Sequence, residues 1–275
     1  MAAKIQVKVY RFAVYVGAFF SMAVLLLIVG YILIKGIPHL SPELFAWEYN
    51  STNVSMMPSI INTLLMTLIS LVVCVPLGIG AAIYLTEYAR RGSRLVKIVR
   101  MTAETLSGIP SIIYGLFGSL FFVVALKMGL SLISGALTLS IMVLPTIMRT
   151  TEEALLAVPD SFREGSFGLG AGRLRTTFKV VLPSAVPGIL SGVILAVGRI
   201  VGETAALIYT AGTVAKVPDS VLDSTRTLAV HMYTISSEGL YINQSYATAV
   251  VLLVVVLGIN GISSFIAKRI GRSHT

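Results

Sequence analysis

Long apolar runs dominate the chain and recur at intervals that suit membrane-spanning helices. A helix that crosses the hydrocarbon core of a bilayer needs about 20 mostly apolar residues. Six stretches meet this requirement, at about 12–34, 60–86, 107–127, 130–149, 187–212 and 246–267. We therefore predict an all-α integral membrane protein in which residues 1–275 form a single domain with six transmembrane helices.

The composition is typical of a membrane protein. Of the 275 residues, 56% are hydrophobic and 12% are charged, and the mean hydropathy is +0.89, whereas about a quarter of the residues in a soluble domain are charged. The first run, 12–34, is longer than the apolar core of a cleaved signal peptide, so we expect it to be retained. Cys74 is the only cysteine, which excludes a disulfide inside the chain, and it lies within an apolar run.

The positive charges predict how the spans are oriented. The net charge is +9, and loops rich in Lys and Arg stay on the cytoplasmic side of a membrane. One predicted side receives Lys4, Lys8, Arg11, Arg90, Arg91, Arg94, Lys97, Arg100, Arg149, Arg163, Arg173, Arg175, Lys179, Lys268, Arg269 and Arg272. The other side receives Lys35, Lys127, Lys216 and Arg226. We therefore place both termini and the segment 150–183 in the cytoplasm, where membrane lipids with anionic headgroups, not nucleic acid, are the partners of these cations.

Two loops on the predicted outer side have distinct patterns. Only Met128-Gly129 separates the third span from the fourth, which predicts a tight hairpin. In the long loop 213–245, Leu228, Met232 and Ile235 recur at helical spacing. We predict a short amphipathic helix within 224–236, at the outer mouth of the protein.

A polar segment with the sequence FREGSFGLGAGRLRTTFKVVLP occupies residues 162–183, between the fourth and fifth predicted spans. Ser161 and Glu164 have the spacing of a capping box, so we predict that a helix starts there. Three glycines between 168 and 172 should end it. A second short helix, 173–179, then precedes the Leu-Pro pair that turns the chain back towards the membrane.

The spacing of this segment resembles the cytoplasmic loop of ABC importer permeases, E-A-A-x3-G-x9-I-x-L-P. The corresponding residues are Glu164, Gly165, Ser166, Gly170, Val180, Leu182 and Pro183, and they differ in type at Gly165, Ser166 and Val180. Glycine at position 165 weakens a helix by about 1 kcal/mol relative to alanine. The resemblance implies that 150–183 contains a coupling helix between helices 4 and 5 that docks on an ATPase subunit. The alternative is an ordinary basic loop.

ATP hydrolysis is not expected of this chain. The glycine-rich string Gly168–Arg173 has no strand before it and lacks the Lys-Ser/Thr pair of a phosphate-binding loop. We therefore predict a transport subunit that is not an enzyme, without catalytic residues, cofactors or metal ligands, and with ATP hydrolysed by a separate subunit.

Charged residues inside predicted spans are the candidates for a substrate path, because such charges are costly in a membrane. Arg199 lies about 18 Å along a helix from Pro187, near the middle of the bilayer. Glu203 follows four residues later, so that the two share a helix face and can pair. Arg149, at the end of the fourth span, is a second candidate, and the alternative for it is a positive flank of the span.

Four longer stretches resemble the PstA family, the permease subunits of the phosphate-specific ABC importer. They are PLGIGAAIYLTEYARRG, LSGIPSIIYGLFG, LPTIMRTTEEAL and GRIVGETAALIYTAG, and the resemblance covers about 60–267. It implies the ABC type I importer permease fold in a bacterial or archaeal cytoplasmic (inner) membrane. It also implies a path for inorganic phosphate with Arg149, Arg199 and Glu203. The implied partners are a second permease (PstC-like), an ATPase dimer (PstB-like) and an external phosphate-binding protein (PstS-like).

Three alternatives remain open from the sequence. The same type of importer can carry sulfate, molybdate or a phosphonate. A secondary anion transporter with Glu203 as proton carrier would need no ATPase. An intramembrane enzyme would need a metal cluster or a nucleophile with its base, whereas His39, His231 and His274 are scattered outside the predicted spans.

Overall fold

A computed structural model describes the backbone of residues 2–90 and 92–272, and side chains within 10–90 and 92–265. In this part of the chain the regular structure is helical, with no strand. The α-helices are α1 (Ala2–Gly36), α2 (Met57–Ile83), α3 (Arg94–Ser107), α4 (Ser111–Gly118), α5 (Leu132–Leu156), α6 (Asp160–Gly168), α7 (Arg173–Thr176), α8 (Leu182–Val201), α9 (Ala205–Thr210), α10 (Leu228–Ser237) and α11 (Ile242–Arg272). Short 3-10 turns at Ile37–His39 and Pro42–Phe45 follow α1. Wider π turns at Tyr84–Tyr88, Ser119–Ala125 and Thr177–Val181 follow α2, α4 and α7.

Five helical stretches are long and apolar enough to cross a membrane in the described residues. They are Tyr10–His39, Met57–Tyr88, Leu132–Leu156, Arg173–Val201 and Ile242–Phe265. The first, second, fourth and sixth predicted spans are thereby confirmed as helices, and the count becomes six if a bent pair of helices is one further span.

The third predicted span, 107–127, starts at the wrong residue. The chain there is a bent pair, Arg94–Ser107 and Ser111–Ala125, whose axes differ by 103°. Gly108 caps α3, and Pro110, which has no N–H to continue a helix, precedes α4. The apolar run therefore begins at this bend, and α3 is a separate helix before it.

The fifth predicted span, 187–212, is displaced towards the N-terminus. A single helical stretch runs through Arg173–Val201, so Leu182 and Pro183 do not turn the chain as predicted. The π turn Thr177–Val181 comes directly before Pro183, which lies in the first turn of α8 where its missing N–H is tolerated. The helix then ends at Val201, and α9 is a separate short helix.

The core lies where α2 packs along α5, and α5 along α8. Met66, Met142 and Ile147 are fully buried in it. Small residues allow the close approach of these helices, as is usual in membranes. A Cβ on Gly78 would lie 2.8 Å from Ile147, and one on Gly192 would collide with Thr150.

The predicted hairpin and the predicted short helix are both present, while their outer position stays a prediction. In the tight hairpin before α5, Gly129 has a φ of +67°, and Ser131 caps α5 by accepting from the N–H of Ser134. The predicted helix is α10, which packs against α11 and α2. Its first turn, 228–231, is buried at every residue and is not amphipathic as predicted, whereas Tyr233 is exposed.

Candidate functional site

The candidate substrate site lies at a break in the membrane helix α8. Gly202 ends α8, and the helical backbone resumes at Ala205. Glu203, which is 8% exposed, sits in the break. One oxygen of its carboxylate accepts a hydrogen bond from the N–H of Ala206 at 3.1 Å. Glu203 therefore satisfies one of the unpaired N–H groups at the start of α9.

Arg199 lies in the last turn of α8, on the other side of the break. It is half-buried, and it makes no hydrogen bond or ion pair with a side chain in the described ranges 10–90 and 92–265. The predicted pair with Glu203 does not form, because the helix that was to place both on one face ends between them. Tyr114 of α4 lies near enough to interact electrostatically with Arg199. The guanidinium thus keeps its donors available for a ligand.

Neighbouring helices hold the break in place. Gly115 of α4 is so close to α9 that a Cβ on it would lie 2.8 Å from the Cα of Ala206. Within α9 itself, the hydroxyl of Thr210 donates to the carbonyl of Ala206 at 2.8 Å. Non-helical backbone at membrane depth is tolerated only where it is buried in protein or lines a cavity. Interrupted membrane helices of this kind commonly form the substrate sites of transporters.

Arg149 and Arg199 have different contacts. It projects from α5 with 57% of its side chain exposed and pairs with Glu153, Nε to Oε1, at 3.1 Å. A second, longer contact of 3.9 Å reaches Glu104 of α3. The structure thus joins Arg149 to acidic neighbours and does not bring it together with Arg199 or Glu203 in a single site.

The polar segment folds into α6, as predicted, but its start differs. The helix begins at Asp160 after Pro159, so Ser161 lies inside it and the predicted capping box is wrong. Glu164 and Gly165 are exposed on α6. Gly170 follows the helix with a φ of +80°, a conformation that glycine adopts without strain.

A hydroxyl pair ties α6 to the helix that follows it. Ser166 and Thr176 lie with their hydroxyl oxygens 2.8 Å apart. The N–H of Ala171 also donates to the carbonyl of Ser166 at 3.1 Å. The turn between α6 and α7 is therefore a closed hairpin.

An apolar surface is exposed on and around this hairpin. Leu169 is 91% exposed, and Phe162, Phe167 and Leu174 are also open to solvent. No described part of the chain covers them. Large apolar side chains exposed together on a polar segment are typical of a surface that binds another protein.

Arg163 joins α6 to the end of α2, a contact that sequence reasoning missed. Its Nη2 and Nε donate to Oε1 of Glu87 at 2.8 and 3.2 Å. Arg163 and Glu87 are 14% and 9% exposed, so the pair is largely buried. The signal in the sequence was a lone acidic residue between an apolar run and a cluster of cations, but nothing in the spacing indicated its partner.

The remaining donors of Arg163 bind the end of α5. Nη1 donates to the carbonyl of Val158 at 2.8 Å, and Nη2 donates to that of Leu155 at 2.9 Å. Nη1 also contacts Asp160 at 3.2 Å. One guanidinium therefore fixes α6 to the ends of two long helices, α2 and α5.

A second buried arginine lies in the loop directly before α10. Arg226 is 4% exposed, and its guanidinium lies over the ring of Tyr49, 4.6 Å from the ring centroid. His231 is fully buried and meets the same ring edge-on at 6.1 Å. Burial, and then the charge of Arg226, lowers the pKa of His231 to about 3, so the imidazole is neutral at physiological pH. The sequence placed both residues in an outer loop and gave no sign of their burial.

Comparisons with known proteins agree with this architecture. A family model described as "Binding-protein-dependent transport system inner membrane component" matches residues 74–273. The probable ABC transporter permease protein YqgI of Bacillus subtilis is 34% identical over 233 residues, which are 79% of this chain and 79% of that protein. The phosphate transport system permease protein PstA of Pasteurella multocida is 36% identical over 210 residues, covering 76% and 74% of the two chains.

Among solved structures, a bacterial alginate ABC transporter in complex with its alginate-bound periplasmic protein has a similar chain. The TM-score is 0.68 over 96% of this chain and 97% of that chain, at 16% sequence identity. At this level of identity the likeness concerns the fold.

Proposed function

The chain belongs to the family of binding-protein-dependent transport system inner membrane components, and on that premise we propose that it is a permease subunit of an ATP-driven importer of inorganic phosphate. Its fold is that of type I ABC importer permeases. It forms the translocation path together with a second permease. A separate ATPase dimer drives the cycle, and an external binding protein delivers phosphate.

The observation that carries the proposal is the guanidinium of Arg199, which lies beside a break in a membrane helix and has no partner among the described side chains. Because a cation without a carboxylate partner is costly in a membrane, its presence there indicates a function. The planar donors of guanidinium match the oxygen geometry of phosphate. Similarity to the Pasteurella PstA, whose name states phosphate transport, favours phosphate over other oxyanions.

Glu203 has a supporting role in this proposal. Its carboxylate holds the first turn of α9 and so fixes the shape of the break. Arg149 serves a later stage of the path, where phosphate competes with Glu104 and Glu153 for the exposed guanidinium.

The hairpin around α6 is the coupling helix. Glu164, Gly165, Ser166 and Gly170 form the part that docks on the ATPase, and Leu182 and Pro183 belong to the helix that leads back to the membrane. Support comes from the exposed apolar side chains on α6, and from Arg163, which fixes α6 to α2 and α5. A rigid connection of this kind transmits a displacement of α6 to the membrane helices.

The mechanism is alternating access. ATP binding closes the ATPase dimer, the coupling helices move with it, and the spans open outward. Phosphate leaves its binding protein and meets the path that contains Arg199. Hydrolysis of ATP resets the assembly and releases phosphate into the cytoplasm, where both termini of this chain lie.

Uptake of radiolabelled phosphate per assembled complex tests the proposal. Arg199→Gln removes the cation but keeps some donors, so uptake should fall by an order of magnitude or more, since a charge-assisted hydrogen bond is worth about 1.5–3 kcal/mol. Arg94→Gln, which removes an exposed cation at the start of α3, outside the α6–α7 hairpin, is the matched control. Normal uptake by the Arg199 variant would contradict the role of Arg199, and uptake of sulfate or molybdate in preference to phosphate would contradict the substrate.

A further inference from the structure

A large polar cavity lies where the end of α2, the start of α3 and the helix α6 meet. Its volume is about 990 Å³. Four arginines line it, together with two acidic residues: Arg90, Arg100, Arg163, Arg173, Glu87 and Asp160. We call this space the basic cavity.

Two of the four arginines are engaged by carboxylates. Arg163 is bound by Glu87, and Arg100 pairs with Glu152 of α5. The other two, Arg90 and Arg173, form no ion pair with a side chain in the described ranges. Arg173 instead lies over the ring of Tyr88, 5.6 Å from its centroid. The basic cavity therefore holds an excess of positive charge at its lining.

The neighbouring helix α3 places the basic cavity at the level of lipid headgroups. Leu95, Ile98 and Met101 recur every three residues along α3 and are 58%, 57% and 59% exposed. Val96, on the other face, is buried in the core. Because α3 lies at 103° to the membrane segment that follows it, this apolar face suits a helix lying in the interface plane.

We propose that the basic cavity binds a phosphate group, supplied either by the headgroup of an anionic phospholipid or by free inorganic phosphate. Arg90 and Arg173, the two arginines of the lining without an ion pair to a described side chain, bind the phosphate oxygens. The bound group joins the end of α2 to α7 and so reinforces the link that Arg163 makes between α2 and α6. The cytoplasmic position of the cavity rests on the proposed function, whereas binding itself does not.

Binding to the purified, assembled importer tests this proposal without any measurement of transport. The probes are dihexanoyl phosphatidylglycerol, dihexanoyl phosphatidylcholine as the zwitterionic control, and inorganic phosphate. The double variant Arg90→Gln with Arg173→Gln should bind the anionic probe at least about tenfold more weakly than the unmodified complex. The matched control, Lys97→Gln with Arg175→Gln, removes two exposed cations that do not line the cavity and should bind within about twofold.

A charge-preserving variant separates the site from general surface charge. Arg90→Lys with Arg173→Lys leaves every charge in place, and it should still weaken binding several-fold, because the planar donors of guanidinium that match phosphate oxygens are lost. Saturable binding of phosphatidylglycerol with no competition from phosphate identifies the lipid as the source. Saturable binding of phosphate alone identifies the free anion.

Two results would overturn the proposal. Equal binding by the unmodified complex and the Arg90/Arg173 variant would show that the cavity does not hold the phosphate group. Loss of the ATPase subunit from that variant, with binding of both probes unchanged, would assign the two arginines to contact with an acidic side chain of that subunit.

Discussion

Arg163 and Arg199 are two arginines of one chain that are both shielded from water, and their surroundings are opposite. Arg163 binds Glu87 and the carbonyls of Leu155 and Val158, so nearly all its donors are used. Arg199 has no hydrogen-bond or ion-pair partner among the described side chains, and Glu203, its predicted partner, accepts a hydrogen bond from a backbone N–H instead.

The difference distinguishes a structural charge from an available one. A guanidinium whose donors are saturated holds elements together, and its removal leaves buried acceptors behind. A guanidinium with free donors contributes little to the fold and remains able to bind an anion. Stability measurements on the two arginines should therefore differ sharply, and the following predictions use that difference.

The largest expected effect comes from Arg163→Ala. The change leaves the carboxylate of Glu87, only 9% exposed, without its partner, and breaking a buried pair costs about 3–5 kcal/mol. Thermal unfolding of the purified protein should show a correspondingly large loss of stability. Arg163→Lys keeps the positive charge but lacks the planar, forked donors of guanidinium, so it should recover part of the lost stability.

The control for this prediction is Arg175→Ala, which removes an exposed arginine of α7. Its effect on stability should stay within about 0.5 kcal/mol. If Arg163→Ala were as stable as this control, the pair with Glu87 would not hold α6 in place, and the contrast with Arg199 would lose its basis.

The fold could be predicted from the sequence wherever the apolar runs were long. The all-α class, the resemblance to PstA permeases and most spans are confirmed, because burial in lipid requires about 20 apolar residues in a row. The helix α3 and the break at Gly202 were missed. Hydropathy indicates neither, because polar residues alternate with the apolar ones in α3, and the apolar run of the fifth predicted span continues across Gly202.

The sequence selected candidate residues for the site but not their arrangement, and the roles of Arg149, Arg199 and Glu203 stay predictions. Arg199 and Glu203 were selected because charge is rare in a membrane, yet their pairing was inferred from a helix that ends between them. Glu87 and Arg163 were not assigned to each other because they are 76 residues apart. Contacts over such a distance arise from tertiary packing, which local spacing does not encode.

A smaller effect is expected from the two glycines of the α6 region, with opposite signs. Gly170 has a φ of +80°, and a Cβ there would meet no atom within 4 Å, so Gly170→Ala costs about 1–2 kcal/mol through backbone strain alone. Gly165, exposed inside α6 and equally unobstructed, should stabilise the helix by about 1 kcal/mol when replaced by alanine. Hydrogen exchange of the α6 amides measures both. Equal protection in the two variants would contradict the prediction, because exchange of the α6 amides would then not depend on the stability of this helix.

The smallest effects on stability are expected at the break in α8. Arg199→Gln removes no contact with the described side chains and replaces a charge that is costly in a membrane, so it should lower the free energy of unfolding by no more than about 0.5 kcal/mol. Glu203→Gln keeps an oxygen that accepts from the N–H of Ala206, so its effect on stability should be equally small. Glu203→Ala loses that acceptor and should lower the free energy of unfolding by about 1 kcal/mol.

A buried Arg199–Glu203 pair would behave differently. Arg199→Gln alone would then cost several kcal/mol, and adding Glu203→Gln would restore stability. Thermal unfolding of the two single variants and the double variant separates these cases, and recovery in the double variant would show that Arg199 is a structural charge like Arg163.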